Sequence, residues 1–330
     1  RIMLPRSTKV LVDDIFDFEH IGPVSVKGMD EPIDCWVVVA QKTVRMLQNP
    51  VVFLGREDEL SILAELYSKS SMSMQLIGIV GEAGIGKSRL IQHFYKMIPQ
   101  IQILTGTCSG ICPSPLNLFS RMFENYFGIT HNSPMPEKKT LLEKGIAELS
   151  RNSMDPTSLI DVLPLIGLLL DVRYEDPRLR LKGNDLLDHV LNSIDLVISN
   201  IINKSQFNNL HTVFVIDDLH LIDDASSKAL KYLVNKISVQ SKLLLIATYR
   251  LEHTIPDYIR DHFCFNEMQL HRLSDQQTLE LIKQYTQGKS LNSSTLNKVI
   301  ELSAGNPFFI EEWCNYVGQL PNSSIEDLPV

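Results

Sequence analysis

Between Gln75 and Leu90 the chain reads Gln-Leu-Ile-Gly-Ile-Val-Gly-Glu-Ala-Gly-Ile-Gly-Lys-Ser-Arg-Leu. An apolar run, a glycine-rich turn and a helix opening at Lys87-Ser88 predict a strand, a loop and a helix in succession. The pattern G-x-x-x-x-G-K-[ST] is complete at Gly81, Gly86, Lys87 and Ser88. Its glycines let the backbone fold back with N–H groups pointing inward, and the helix start adds the positive end of its dipole at the same place. Such a loop cradles phosphate.

The segment Gly81, Glu82, Ala83, Gly84, Ile85, Gly86, Lys87, Ser88 and Arg89 is therefore the expected binding site for ATP or ADP. The Lys87 ammonium would reach the β- and γ-phosphates, and the Ser88 hydroxyl would serve Mg²⁺. Such a loop needs a metal-organising carboxylate on a neighbouring strand. Thr212-Val-Phe-Val-Ile-Asp217-Asp218 has the form of one, a buried-type apolar strand ending abruptly in two acids. Asp217 is expected to hold Mg²⁺, and Asp218 to orient or deprotonate the attacking water. The next apolar run, Leu243–Thr248, ends at Tyr249 and Arg250. Thr248 would sense that water, while Arg250 is either a charge-stabilising arginine or a solvated loop cation.

The chain has 330 residues, 44% of them hydrophobic and 21% charged, enough for two domains with full cores. Its net charge of −8 argues against a polyanion as main partner, so no nucleic acid is expected. The five scattered cysteines fit reduced thiols in a cytoplasmic setting, and Cys108-x-x-x-Cys112 lacks the second pair of a zinc site. Leu163–Val172 is the longest apolar run, too short to span a bilayer, so no integral membrane segment is expected. The chain opens at Arg1 and enters mid-pattern, which reads as a fragment.

Apolar runs at Leu76–Val80, Ile101–Thr107, Val213–Ile216 and Leu243–Thr248 alternate with helical periodicity at Ser88–Met97, Leu116–Phe127, Asp185–Asn203 and Ala225–Ile237. The expected fold class is α/β, a P-loop NTPase parallel sheet with helices on both faces, followed by an α-helical subdomain. The core would occupy 53–270, with 137–184 as a helical insertion broken by prolines, and 271–330 a helical lid. Ser274-Asp-Gln-Gln277 is a capping box opening the lid, with helices to follow at Ser294–Leu302 and Pro307–Val317 and a frayed end from Asn322. Gly305-Asn306-Pro307 joins two helices in the usual Gly-then-Pro order.

Residues 1–40 read as small β elements: Val10–Val12, a turn at Gly22-Pro23, Val24–Val26, a turn at Lys27-Gly28, and Ile33–Val39 after Pro32. Asp13, Asp14 and Asp17 read as solvated turn residues, and 41–52 as a polar linker.

Two resemblances are carried by these residues. Phe18-Glu-His-Ile-Gly-Pro-Val-Ser-Val-Lys-Gly-Met-Asp-Glu-Pro-Ile-Asp-Cys-Trp-Val38 resembles the C-terminal strands of a class III adenylate/guanylate cyclase domain, a family whose catalytic residues would lie upstream. Phe53-Leu-Gly-Arg-Glu, the phosphate loop, Ile216-Asp-Asp-Leu-His220, Ala247-Thr-Tyr-Arg250 and Ala304-Gly-Asn-Pro-Phe-Phe-Ile-Glu-Glu312 are similar, in that order, to the STAND class of AAA-related signal-transduction ATPases. The resemblance implies that Arg56 and Glu57 lie near the adenine and that Gly305 and Pro307 close over the nucleotide. Where that family commonly has a Trp after the Leu-His pair, this chain has Leu221.

A cyclase tail followed by such an ATPase is the layout of soluble adenylyl cyclase-like proteins. It implies a regulatory ATP switch with a cyclase domain in cis, and a homo-oligomer or signalling partner. Hydrolysis would be slow, since Asp218 stands where faster machines place a Glu. An oligomerising remodelling ATPase, a DNA-binding origin-type ATPase and a nucleotide-binding scaffold without turnover stay open as alternatives.

Overall fold

The computed structural model describes residues 3–5, 8–9, 16–24, 32–41, 53–98, 100–110, 114–130, 133–151, 153, 155–237, 241–286 and 293–319. The expected strand at Val10–Val12, the turn at Lys27-Gly28, Asp13, Asp14, most of the linker and the chain end from Asn322 lie outside them. The chain divides into two compact units, Arg1–Val52 and Phe53–Val330.

In the first unit β1 (Met3–Pro5), β2 (Phe16–Val24) and β3 (Ile33–Gln41) form an antiparallel sheet in the order β1-β3-β2. Two expectations are corrected here. Asp17 lies within β2, opposite Ala40, rather than in a turn. Gly22-Pro23 is no turn either, because β2 runs through it: a register shift between His20 and Gly22 absorbs one extra residue as a bulge, and Pro23 is tolerated because β2 is an edge strand.

The second unit is built on β4 (Gln75–Val80), β5 (Ile101–Thr107), β6 (His211–Asp217), β7 (Leu243–Tyr249) and β8 (Phe265–Gln269). All pairings are parallel, in the order β5-β6-β7-β4-β8. Alternate residues of each inner strand enter opposite cores, as the two-residue period of a strand covered on both faces requires. Ile77, Ile79, Val213, Val215, Leu244 and Ile246 pack with α1 (Glu57–Lys69) and α2 (Lys87–Met97). Leu76, Phe214, Ile216, Leu243 and Leu245 pack on the other side with α3 (Asn117–Phe127) and the helices beyond it.

Between α3 and β6 lie α4 (Met135–Ser150), α5 (Pro156–Asp161), α6 (Leu163–Leu169), a 3₁₀ turn at Pro177–Arg180 and α7 (Asn184–Phe207). After β6, α8 (Asp224–Lys236) is capped by Asp223, whose carboxylate accepts from Ser226 N at 2.8 Å and from the Leu116 and Asn117 amides at 3.1 and 3.2 Å. One acid thus fixes the starts of two helices.

β8 was not expected. Only Met268 of its five residues is buried, so this edge strand shows no apolar run. Following the short α9 (Asp257–Arg260), the helical subdomain comprises α10 (Asp275–Tyr285), α11 (Ser293–Ser303) and α12 (Pro307–Gln319). The capping box at Ser274 and Gln277 is formed with both hydrogen bonds. Among the described residues no helix is long and apolar enough to cross a membrane.

Candidate functional site

The phosphate loop leaves β4 at Gly81, whose N–H donates to Tyr249 O of β7 at 3.3 Å, and ends where α2 begins at Lys87. Lys87 is 8% exposed, and its Nζ donates to the carbonyls of Gly81 and Glu82, each at 2.9 Å. Burial pulls its pKa below the usual lysine range. Asp218 opposes that shift, Arg250 adds to it, and Asp217 and Glu252 oppose it again. The ammonium is thus held at the loop by those two carbonyls, and the Asp217 and Asp218 carboxylates offset part of the cost of its burial.

The strand carrying Asp217 is not the neighbour of β4, as had been expected: β7 lies between them. The intervening strand supplies the link. Thr248, fully buried near the end of β7, donates from Oγ1 to Asp217 Oδ1 at 2.5 Å and accepts from the Asp218 amide at 2.9 Å. Ser88 Oγ donates to Asp217 Oδ2 at 3.1 Å from the other side. A hydroxyl and a carboxylate converging at the loop mouth are hard oxygen donors of the type Mg²⁺ takes when phosphates and water complete its shell. These two residues fit that ion.

Lys87, Ser88, Arg89, Asp217, Asp218 and Arg250 line one cavity of about 290 Å³, together with Ala83, Gly84 and Gly86 of the loop and with Pro307, Phe308 and Glu311 of the helical subdomain. Gly81, Glu82, Ile85, Thr248, Arg56, Glu57 and Gly305 are not part of that lining. Ile85 is buried in the core beneath the loop. Arg56, in the left-handed conformation ahead of α1, donates to His271 O at 2.6 Å and pairs with Glu59 at 2.9 Å, while Glu57 is an exposed first residue of that helix.

The helical subdomain is bonded directly to the phosphate loop. Asn306 Nδ2 donates to Ala83 O at 2.9 Å, the Phe308 amide to Gly84 O at 3.3 Å, and the Arg272 guanidinium pairs with the Glu82 carboxylate at 2.8 Å. Gly84 has φ 75°, and a Cβ there would stand 2.6 Å from that of Phe308, so only glycine lets the two backbones approach. Gly305 has φ 76°, and a Cβ would lie 2.4 Å from the carbonyl oxygen of Leu273, whose N–H donates to Gly305 O at 2.8 Å. It lets the chain turn between α11 and α12.

The guanidinium of Arg89, at the cavity wall, donates to Tyr285 Oη at 2.9 Å and to the Glu311 carboxylate. Asn306, Arg272, Tyr285, Phe308 and Glu311 were not anticipated as site residues. Asn306, Phe308 and Glu311 had a signal, their place in the Ala304–Glu312 motif; Arg272 and Tyr285 had none. Both charged partners of the Arg89–Glu311 pair are more than two-thirds buried. A double-mutant cycle on Arg89→Ala and Glu311→Ala, read by chemical denaturation, is expected to give a coupling of about 0.5–2 kcal/mol. Coupling near zero would mean the contact does not hold the subdomain.

A family model described as AAA ATPase domain matches residues 52–246. No curated protein matches the chain. Among solved structures, the chain is similar to one in the E. coli MS115-1 HORMA:CdnC:Trip13 complex, with 10% identity and a TM-score of 0.44 over 95% of this chain and 98% of that one. It is also similar to the Thermotoga maritima RuvB Holliday junction branch migration motor, with 14% identity and a TM-score of 0.42 over 81% of this chain and 62% of that one. The family match takes in the phosphate loop and the Asp217-Asp218 pair and spans more than half of the chain, which belongs to the AAA ATPase domain family.

Proposed function

We propose that residues 53–330 form an ATP-binding switch that hydrolyses slowly, within a signalling protein of the soluble adenylyl cyclase-like type. The observation that carries the switch is the contact between the helical subdomain and the phosphate loop: Asn306 and Phe308 bond to the carbonyls of Ala83 and Gly84, within the lining of the cavity that also holds Lys87 and Asp218. A nucleotide seated there changes the footing of the subdomain. ATP and ADP bias it differently only through contacts made to the γ-phosphate, since a ligand shifts an equilibrium by its differential affinity alone.

In this reading Lys87 and the loop amides bind the phosphates, and Ser88 and Asp217 hold Mg²⁺. The ion, when bound, neutralises charge developing on the transferred phosphoryl group. Asp218 orients the attacking water, Arg250 stabilises charge from within the same chain, and Thr248 keeps the two acids in register. Arg250 lines the cavity from within the same chain, which favours a switch over an obligate ring. The domain division is 1–40 as closing strands of a cyclase domain, 41–52 as linker, 53–270 as ATPase core and 271–330 as helical lid. The cyclase assignment rests on the Phe18–Val38 resemblance.

Phosphate release from Mg-ATP by the purified chain tests this. Turnover at or below about 1 per second is expected. Much faster turnover with ATP-dependent ring formation would favour a remodelling ATPase, and tight binding without release a scaffold.

A further inference from the structure

The two acids at the end of β6 are held differently. Both Asp217 oxygens are engaged, by Thr248 and by Ser88. The Asp218 carboxylate faces the cavity and, among the described residues, accepts no hydrogen bond; its backbone is left-handed at φ 54° and ψ 46°. The 3₁₀ turn Leu219–Leu221 that follows brings His220 back beside it, with Nδ1 at 3.9 Å from Asp218 Oδ1.

The His220 side chain is 1% exposed, and its Nδ1 is a buried polar atom with no hydrogen-bond partner. The ring is clamped by stacking on His253, centroids 4.6 Å apart and planes 26° from parallel. A buried ring nitrogen left unpaired destabilises the native state. Here the cost sits one ångström or so from being relieved by the carboxylate proposed to act on water. Catalytic hydrogen bonds are often long before the substrate arrives and tighten in the complex.

We propose that His220 is a positioning residue for Asp218, its Nδ1–H donating to the carboxylate and aiming it at the attacking water once nucleotide is seated. This rests on the reading that Asp218 serves that water. Burial holds the imidazole below its ordinary pKa; Asp218 opposes this, while His253, Arg250 and Lys87 reinforce it.

The test uses the full chain. His220→Ala is expected to lower kcat about 10- to 100-fold, the range for removing a partner that orients a ligand or catalytic group, with the KM for ATP unchanged. His220→Asn, whose amide nitrogen overlays Nδ1, should restore most of the rate, whereas His220→Gln, which overlays Nε2, should not. In the Asp218→Asn background His220→Ala should have no further effect. An equal loss in both backgrounds, or rescue by Gln rather than Asn, would overturn the proposal.

A readout independent of turnover is the His220 Nδ1 proton in ¹⁵N-histidine-labelled protein with Mg-ADP and aluminium fluoride. A hydrogen-bonded signal lost in Asp218→Ala is expected, and its absence in the parent overturns the proposal. Absence of turnover with that signal present would instead count against hydrolysis, leaving the contact standing.

Discussion

Lys87→Ala is expected to abolish the thermal stabilisation that Mg-ATP gives the parent chain. Ligand at a hundred times its dissociation constant stabilises the native state by about 2.7 kcal/mol. For a unit of this size that is a rise in Tm of roughly 4–6 °C. Among the described residues Lys87 is the one cation buried at the loop, and its Nζ is held by the Gly81 and Glu82 carbonyls. Its burial already disfavours the ammonium, with Asp218 and Asp217 restoring part of the loss, so an anion placed beside it gains a strong and poorly screened partner. Alanine removes that partner, together with its two bonds to the Gly81 and Glu82 carbonyls. A shift retained in the variant would place the nucleotide elsewhere, and no shift in either protein, after stripping bound ADP, would reduce the loop to a relic.

The parts of this architecture legible in the sequence are those where one local signal suffices. The run Leu76–Val80 and the periodicity of Leu90, Ile91 and Phe94 mark β4 and α2 because each element buries its own apolar face. β8 was illegible because only Met268 of its residues is buried, so backbone pairing with β4, not side-chain burial, makes it a strand. The course of β2 through Gly22-Pro23 was hidden because both residues are turn formers, and only the edge position and the bulge reconcile them with a strand.

The site divides similarly. Lys87, Ser88, Asp217, Asp218 and Arg250 were nameable, because each closes or follows an apolar strand or the glycine loop, and they do share one cavity. The interposition of β7 was not nameable, since strand order is a property of crossover connections rather than of any segment. Nor were the partners of Arg89, which come from α10 and α12: no periodicity links residues so far apart in sequence. His220 was quoted only as part of a motif, and nothing local distinguishes a buried imidazole aimed at an acid from one packed in a core.

Asp218→Asn and Asp217→Asn are expected to fail in opposite ways, which makes the pair the sharpest probe of how the acids divide their work. Asparagine tolerates the left-handed backbone at Asp218, and the Asp218 amide bond to Thr248 is kept, so the turn should survive. What is lost is a carboxylate able to orient or accept a proton from water. A group of that kind contributes about 10²- to 10⁴-fold, so kcat should fall by that factor while Mg-ATP affinity, measured by calorimetry, stays within about threefold. Asp217→Asn instead replaces a carboxylate that holds both the Ser88 and Thr248 hydroxyls. In the parent, Mg²⁺ should raise ATP affinity; in this variant that enhancement should vanish, with binding of metal-free ATP little changed. If Asp218→Asn lost the metal enhancement and Asp217→Asn kept it, the roles would be exchanged, and the short bond from Thr248 would then be holding the acid that acts on water.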